Sequence, residues 1–146
     1  MRTLSDIRHL FLDMDGTIYH GGRLYPTTLP FLRFLANRKI GVTFLSNNSS
    51  YSTKQYVEKL RAMGIDAEPE QFYLSTDYTI DYLRKNHPEI RRIFLLGMAC
   101  MHPAFEAAGF QFDEIEPDAV IVAFEMAPMS VRIAGLSLQK AGNGRH

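Results

Sequence analysis

The order of apolar and polar positions in the first part of the chain predicts alternating strands and helices. Short apolar runs at residues 10–12, 41–45 and 71–74 are typical of buried strands. Each run is followed by residues with helical spacing or helix-start signals, and these three segments cover residues 29–38, 52–64 and 76–86. Three strands, each followed by a helix, predict a doubly wound α/β fold built on a parallel sheet.

Local signals predict where these helices begin and end. Thr28 is a candidate N-cap of the first helix, and Ser52 with Gln55 has the spacing of a capping box at the start of the second. Gly64 is expected to end the second helix, because glycine adopts the left-handed conformation of a helix C-terminus at little cost. Thr76 is the candidate N-cap of the third helix.

A second run of strand and helix signals begins after Pro88. Residues 92–96 and 119–124 are rich in strand formers, and a short helix is expected over residues 103–108 between them. Three phenylalanines of this region are assigned to a core and not to a substrate site, namely Phe105, Phe110 and Phe112. This part of the chain is therefore also expected to be α/β.

Two carboxylates stand at the end of the first predicted strand. Asp13 and Asp15 follow the apolar run, and Gly16 comes next. Burying unpaired carboxylates is costly, whereas open α/β sheets bind ligands at the carboxyl ends of their strands. Side chains two positions apart in an extended strand point to the same side, so both carboxylates are expected to face one site. The pair suits nucleophilic and acid–base catalysis and Mg²⁺ binding; an ordinary Asp-Gly turn is the alternative.

A polar segment follows the second predicted strand. Ser46, Asn47 and Asn48 begin it, directly after the apolar residues 41–45. Two parallel strands joined by a right-handed helical crossover end at the same edge of a sheet, so Ser46 is expected to lie beside Asp13. Amides at a strand-to-loop turn suit an anion such as phosphate. A polar loop of turn-forming residues is the alternative interpretation.

These two segments together resemble a known family. Residues 13–17, Asp-Met-Asp-Gly-Thr, resemble the D-x-D-G-[TV] signature of the haloacid dehalogenase-like (HAD) superfamily of phosphohydrolases, and residues 44–49 resemble its phosphate-holding strand-Ser/Thr-Asn element. The resemblance extends from about residue 7 to residue 124. The Asn-Asn-Ser sequence is similar to the 4-nitrophenylphosphatase (NagD-like) branch, as are three residues after the first motif: Tyr19, Gly21 and Pro26.

The resemblance implies a Mg²⁺-dependent phosphatase that hydrolyses small phosphomonoesters through an aspartyl-phosphate. It implies that Asp13 is the nucleophile, and that Asp15 protonates the leaving oxygen and then activates water. It also implies that Mg²⁺ binds the Asp13 carboxylate and the Asp15 backbone carbonyl. Because the dehalogenases of this superfamily lack the second aspartate, Asp15 favours phosphoryl transfer. The groups implied to contact the substrate phosphate are Gly16, Ser46, Asn47 and Asn48.

The resemblance also divides the chain. Residues 1–89 correspond to the first half of the HAD core, residues 90–124 to the start of an inserted α/β cap domain, and residues 125–146 to an atypical tail in which the resemblance is lost. The lysine that should follow the cap and a later acidic pair are missing, since the only late lysine is Lys140 and no aspartate follows Asp118. We therefore expect an N-terminal portion of such an enzyme, inactive or inefficient alone.

Composition limits the partners and the compartment. The 146 residues contain sixteen basic and sixteen acidic side chains, and a neutral chain without a basic surface argues against nucleic acid as a partner. No apolar stretch approaches the length of a membrane span. Cys100 is the single cysteine, which favours a reducing, cytoplasmic compartment. The expected partner is a small phosphorylated metabolite, and an open sheet edge would favour a homo-oligomer.

Two other functions remain open. A phospho-acceptor module of the receiver type also gathers acids at strand ends, but its acceptor aspartate ends a central strand, whereas Leu74-Ser75-Thr76 ends the third strand here. The other alternative is a non-catalytic fragment that serves as a binding piece. The acidic segment at residues 113–118 precedes a strand and is interpreted as a solvated loop, and Cys100 as a small buried hydrophobic residue.

Overall fold

The structure is a computed structural model that describes residues 6–123. The described chain forms two compact units. The first contains the residues up to 47 together with residues 51–75, and the second contains residues 48–50 together with those from 76 onward. The helix at residues 75–86 packs with the second unit. The predicted division into a core and a cap after residue 89 stays a prediction.

Strands and helices alternate in the first unit. Its elements are β1 (His9–Asp13), β2 (Tyr19–His20), β3 (Arg23–Leu24), α1 (Thr28–Asn37), β4 (Gly41–Ser46), α2 (Thr53–Ala62) and β5 (Phe72–Leu74). Strands β1, β4 and β5 form a parallel sheet with β4 in the centre, and β2 pairs with β3 as an antiparallel hairpin. The predicted parallel α/β fold is confirmed.

The first sheet is buried on one face. Along β1, Leu10 and Leu12 are partly buried, whereas Phe11 between them is 66% exposed. The interpretation of residues 10–12 as a buried strand is therefore wrong for Phe11, because only every second side chain reaches the core. That core combines sheet residues with one face of α2 and includes Phe44, Phe72, Tyr56, Val57 and Leu60.

Two of the predicted helix ends are confirmed in the first unit and one is wrong. Ser52 and Gln55 form the capping box at the start of α2, and Gly64 has a φ of 89° just beyond its end. Thr28 does not cap α1, because it is already the first residue of that helix and Thr27 takes the N-cap position. The buried Thr28 hydroxyl instead donates a hydrogen bond of 2.6 Å to the carbonyl of Ile18.

The second unit has its own sheet and core. Its elements are α3 (Ser75–Asn86), which begins at the last residue of the first unit, β6 (Arg92–Leu96), α4 (His102–Ala107), β7 (Gln111–Phe112) and β8 (Ala119–Val122). The sheet is parallel in the order β7-β6-β8. Because α3 begins at Ser75, Thr76 lies inside the helix and is buried, so its prediction as the N-cap is wrong.

The phenylalanines assigned to a core are found there. Phe105 and Phe110 are buried and pack edge to face, and the partly buried Phe112 stacks on His102. Strand β7, which carries Phe112, was not predicted because two residues give no periodicity to detect. Phe124, the tail at residues 125–146 and Lys140 lie outside the described residues.

Arg92 organises the acidic loop that precedes β8. The Asp118 carboxylate accepts hydrogen bonds from the backbone N–H groups of Arg91 and Arg92 and from the Arg92 guanidinium at 2.9 Å. Asp113 accepts from two backbone N–H groups of the same loop and lies 3.6 Å from Arg92. The loop is exposed, and the Asp113 and Asp118 carboxylates are hydrogen-bonded to its backbone and to Arg92. Within the described residues, these two carboxylates therefore have a structural role.

No helix in the range 6–123 combines the length and the apolar character that crossing a membrane requires.

The hydrogen bonds from Arg92 lower the pKa of Asp118 from its ordinary 3.8 to about 2. A carboxyl group with a lowered pKa in the folded state stabilises the fold above its ordinary pKa, and this contribution is lost as the pH falls through the folded value. Asp118→Asn should therefore lower the melting temperature near neutral pH, and the difference from wild type should close between pH 3.8 and about 2.

Thermal unfolding followed by circular dichroism at several pH values measures this difference. Glu114→Gln removes the same charge from the same exposed loop and is the matched control. A melting-temperature difference for Asp118→Asn that does not change with pH, or one of equal size for Glu114→Gln, would contradict the structural role of Asp118.

Candidate active site

The register of the first sheet brings the two sequence motifs to one edge. Asp13, the last residue of β1, pairs with Leu45 of β4, and Ser46 follows Leu45 as the last residue of its strand. Because the strands are parallel, their carboxyl ends meet at the same edge of the sheet. The prediction that Ser46 lies beside Asp13 is confirmed at the level of strand register.

A tight turn follows Asp13 and positions Asp15. The buried Met14 has a carbonyl that accepts hydrogen bonds from the N–H groups of Thr17 and Ile18, at 3.1 and 3.0 Å. Gly16 has a φ of 84°, a conformation that favours glycine. Asp13 and Asp15 are exposed on either side of Met14 in the sequence, as the alternation predicted. Strand β1 ends at Asp13, and Asp15 forms an isolated parallel bridge with Tyr19 just beyond it. That both carboxylates face one site stays a prediction.

The Asp13 carboxylate is held by the turn that follows it. The Thr17 hydroxyl donates a hydrogen bond of 3.0 Å to Asp13 Oδ2. This contact fixes the carboxylate orientation while the side chain stays exposed at the edge of the sheet. An exposed and oriented carboxylate is suited to attack an incoming electrophile.

The Asp15 carboxylate is held by two side chains. The Tyr19 hydroxyl donates to Asp15 Oδ2 at 3.0 Å, and Lys59 Nζ lies 3.8 Å from Asp15 Oδ1. Lys59 Nζ also donates to the Tyr19 hydroxyl at 3.1 Å. Burial raises the pKa of Tyr19 well above its usual range, and the hydrogen bond to Asp15 raises it further, so this phenol remains a donor.

Ser46 is buried against a tyrosine of α2. Its Oγ lies 2.8 Å from the hydroxyl of Tyr56, which is itself fully buried. Burial raises the pKa of Tyr56, the hydrogen bond to Ser46 lowers it, and the negative charges of Asp15 and Asp13 raise it. Tyr56 therefore shares a hydrogen bond with Ser46, and its pKa responds to the charges of Asp13 and Asp15.

The other residues predicted to contact phosphate are in different situations. Asn47 is exposed, and its backbone carbonyl accepts a hydrogen bond of 3.4 Å from Ser75 Oγ. Asn48 belongs to the second unit, where its side-chain oxygen accepts from the N–H of Ser50 at 2.9 Å. Gly16 supplies the turn conformation described above. A phosphate contact by these three residues stays a prediction.

Lys59 and the roles of two tyrosines were not predicted from the sequence. Tyr19 entered only through the resemblance, Tyr56 was given no role, and a lysine was expected only after the cap. One signal was present, because Tyr56 and Lys59 are three residues apart and share a face of the helix that follows the second motif. Their approach to Asp15 depends on the rotation of α2 about its axis.

The donor set around the motif fits a hard cation. Asp13 and Asp15 offer carboxylate and carbonyl oxygens, which are the ligands that Mg²⁺ prefers. In the part of the chain that the structure describes, no three His, Cys, Asp or Glu side chains converge as a metal-binding group. A metal at this edge would therefore bind through Asp13 and Asp15 without a third such side chain from the described residues.

Comparisons with known proteins agree with this geometry. Residues 10–111 match a family described as haloacid dehalogenase-like hydrolases. An acid sugar phosphatase from Staphylococcus epidermidis is 31% identical over 115 residues, which cover 78% of this chain and 44% of the relative.

Two solved structures have the same architecture. A putative NagD protein superposes with a TM-score of 0.84 at 35% identity, covering 94% of this chain and 54% of its own. A 4-nitrophenylphosphatase from Thermotoga maritima superposes with a TM-score of 0.83 at 35% identity, covering 93% and 52%. The resemblance to the NagD-like branch is confirmed. The chain spans less than half of the curated relative and about half of each solved structure.

Proposed function

Because the chain belongs to the haloacid dehalogenase-like hydrolases, we propose that it carries the nucleophile and the acid–base residue of a phosphatase for small phosphomonoesters. The observation that carries this proposal is the parallel register of β1 and β4, in which Asp13 and Ser46 end neighbouring strands. A carboxylate nucleophile beside a hydroxyl donor suits phosphoryl transfer through an acyl phosphate.

Asp13 carries out the first step. One of its carboxylate oxygens attacks phosphorus, the ester P–O bond breaks, and the products are an aspartyl-phosphate and an alcohol. The hydrogen bond from Thr17 to Asp13 Oδ2 supports this role, because it limits the rotation of the nucleophile.

Asp15 transfers the proton in both steps. It first protonates the leaving alcohol oxygen, and it then takes a proton from the water that attacks the phosphorus of the aspartyl-phosphate. The second step releases inorganic phosphate and restores Asp13. The hydrogen bond from Tyr19 supports this assignment because it orients the Asp15 carboxylate through one oxygen.

The phosphate group is bound by polar groups at the same edge. The Ser46 hydroxyl donates to a phosphate oxygen, and an amide of Asn47 contributes a further donor. The Gly16 N–H already donates to the Tyr19 carbonyl at 2.7 Å and is not counted among these donors. The hydrogen bond between Ser46 and Tyr56 supports the role of Ser46, because it holds the serine side chain at the end of β4.

The Asp13 carboxylate and the Asp15 backbone carbonyl are the groups that would hold Mg²⁺. Their oxygen donors fit this cation, which when bound offsets the charge between the nucleophile and a dianionic phosphate. The Asp15 carboxylate is engaged by Tyr19 and Lys59, which supports the use of its carbonyl toward the metal.

The substrate is a small phosphorylated metabolite. This proposal is supported by the similarity to proteins named acid sugar phosphatase and 4-nitrophenylphosphatase. A receiver-type function has no comparable support, because β5 ends at Leu74 and α3 begins at Ser75 without an acidic residue between them.

Within the described residues β1 lies at the edge of its sheet with Phe11 exposed, which supports self-association into a homo-oligomer.

The first prediction of this proposal concerns the nucleophile. Asp13→Asn should abolish hydrolysis of 4-nitrophenyl phosphate, because an amide oxygen is a poor nucleophile toward phosphorus. Initial rates with Mg²⁺ present measure the effect. Asp66→Asn makes the same chemical change at a side chain that is 97% exposed and should leave the rate unchanged. Retained activity in Asp13→Asn would show that another group is the nucleophile.

The second prediction concerns the efficiency of the 146-residue chain. Asp13 and a phosphate dianion repel each other by about 1 kcal/mol per charge pair at 4 Å in water, and by about 4 kcal/mol where screening is weaker. Because no third His, Cys, Asp or Glu side chain joins Asp13 and Asp15 among the described residues, a bound metal would offset this repulsion only in part. The chain should therefore turn over 4-nitrophenyl phosphate orders of magnitude more slowly than the Thermotoga maritima enzyme.

Rates of both proteins measured under the same conditions, with size-exclusion chromatography of the same samples, check this prediction. Turnover comparable to that of the Thermotoga maritima enzyme, if abolished by Asp13→Asn, would show that the site is complete. The absence of any turnover would favour the alternative of a non-catalytic binding piece.

A further inference from the structure

Lys59 lies in an aromatic environment on α2. Its Nζ is 4.3 Å from the ring centroid of Tyr19, 5.0 Å from that of Tyr51 and 5.8 Å from that of Tyr56. The faces of tyrosine rings attract a cation at these distances. The side chain is only 25% exposed, so the ammonium group is held in place and partly withdrawn from water.

The ammonium group is connected to both oxygens of the Asp15 carboxylate, to one directly and to the other through Tyr19. It lies 3.8 Å from Asp15 Oδ1, and it donates to the Tyr19 hydroxyl, which in turn donates to Asp15 Oδ2. One oxygen therefore faces the charge of Lys59 and the other is tied to it through a phenol. A carboxylate contacted in this way has little freedom to rotate.

We infer that Lys59 is a positioning residue, which fixes the Asp15 carboxylate directly and through Tyr19 and supplies a fixed positive charge at the carboxyl edge of the first sheet. This inference rests on the proposed function, in which Asp15 must meet the leaving oxygen. The charge of Lys59 also acts on whatever binds beside Asp15.

A fixed charge makes a prediction that packing alone does not make. The positive charge of Lys59 opposes a bound cation and favours a bound anion at the same edge of the sheet. Removing it should therefore strengthen the binding of Mg²⁺ and weaken the binding of inorganic phosphate. A lysine that served only to pack against tyrosines would change the melting temperature without opposite effects on the two ions.

The experiment measures Mg²⁺ affinity by NMR titration of the full 146-residue chain, followed by titration with inorganic phosphate at saturating Mg²⁺. Wild type is expected to bind Mg²⁺ with millimolar or weaker affinity. Lys59→Met keeps the apolar stem and removes the charge, and Lys59→Gln is a second neutral variant in case the first does not fold. Lys59→Arg keeps the charge.

Lys54→Met is the matched control, since Lys54 is an exposed lysine on the first turn of the same helix. The neutral variants at Lys59 should bind Mg²⁺ roughly three- to tenfold more tightly than wild type and phosphate more weakly by a similar factor. Lys54→Met and Lys59→Arg should stay close to wild type for both ions.

Three results would overturn the inference. Affinities for both ions that match those of Lys54→Met would show that Lys59 is not coupled to the site. If the neutral Lys59 variants bound both Mg²⁺ and phosphate more weakly and melted at a lower temperature, Lys59 would have a structural role only. Absence of Mg²⁺ binding in wild type would overturn the proposed function and this inference with it, whereas equal affinities in wild type and the Lys59 variants overturn the inference alone.

Discussion

The parallel pairing of β1 with β4 is the constraint on which the rest of the candidate site depends. Asp13 and Ser46 are 33 positions apart in the printed sequence, and they meet because Asp13 pairs with Leu45. A slip of one residue in this register would turn the polar end of one strand toward the wrong face. The apolar residues of β1 and β4 oppose such a slip, since alternate side chains must reach the core that α2 closes. The hydrophobic pattern thus fixes both the fold and the meeting of the two motifs.

The two carboxylates of the first motif are treated differently by their surroundings. Asp13 stays exposed and is oriented by a neighbouring hydroxyl, whereas Asp15 is tied to a tyrosine and a lysine. The different surroundings suit the different tasks of a nucleophile and an acid–base group. Tyr56 shares a hydrogen bond with Ser46, and the negative charges of Asp15 and Asp13 raise its pKa, so α2 contributes to the core and to the site with the same face.

The sequence predicts the order of elements and the meeting of Asp13 with Ser46, because both follow from strand periodicity and parallel topology. The sequence does not predict which partner a polar side chain binds when both a local and a distant partner are possible. Thr28 looks like a helix cap, but its hydroxyl is satisfied by the Ile18 carbonyl. Lys59 reaches Tyr19 across 40 positions, and this contact depends on the packing of α2, which periodicity does not specify. Asn48, predicted from the same motif as Ser46, lies in the second unit and keeps its phosphate role only as a prediction.

The central claim is that Asp13 receives the phosphoryl group and Asp15 governs its release. Asp15→Asn provides the most direct test, because 4-nitrophenolate leaves with little help from an acid whereas hydrolysis of the aspartyl-phosphate needs Asp15. This variant is incubated with 4-nitrophenyl phosphate and Mg²⁺, quenched, and mapped by peptide mass spectrometry. The predicted result is one phosphoryl group on Asp13. A phosphoryl group on another residue would contradict the account. So would equal phosphorylation of the double variant that carries both Asp13→Asn and Asp15→Asn.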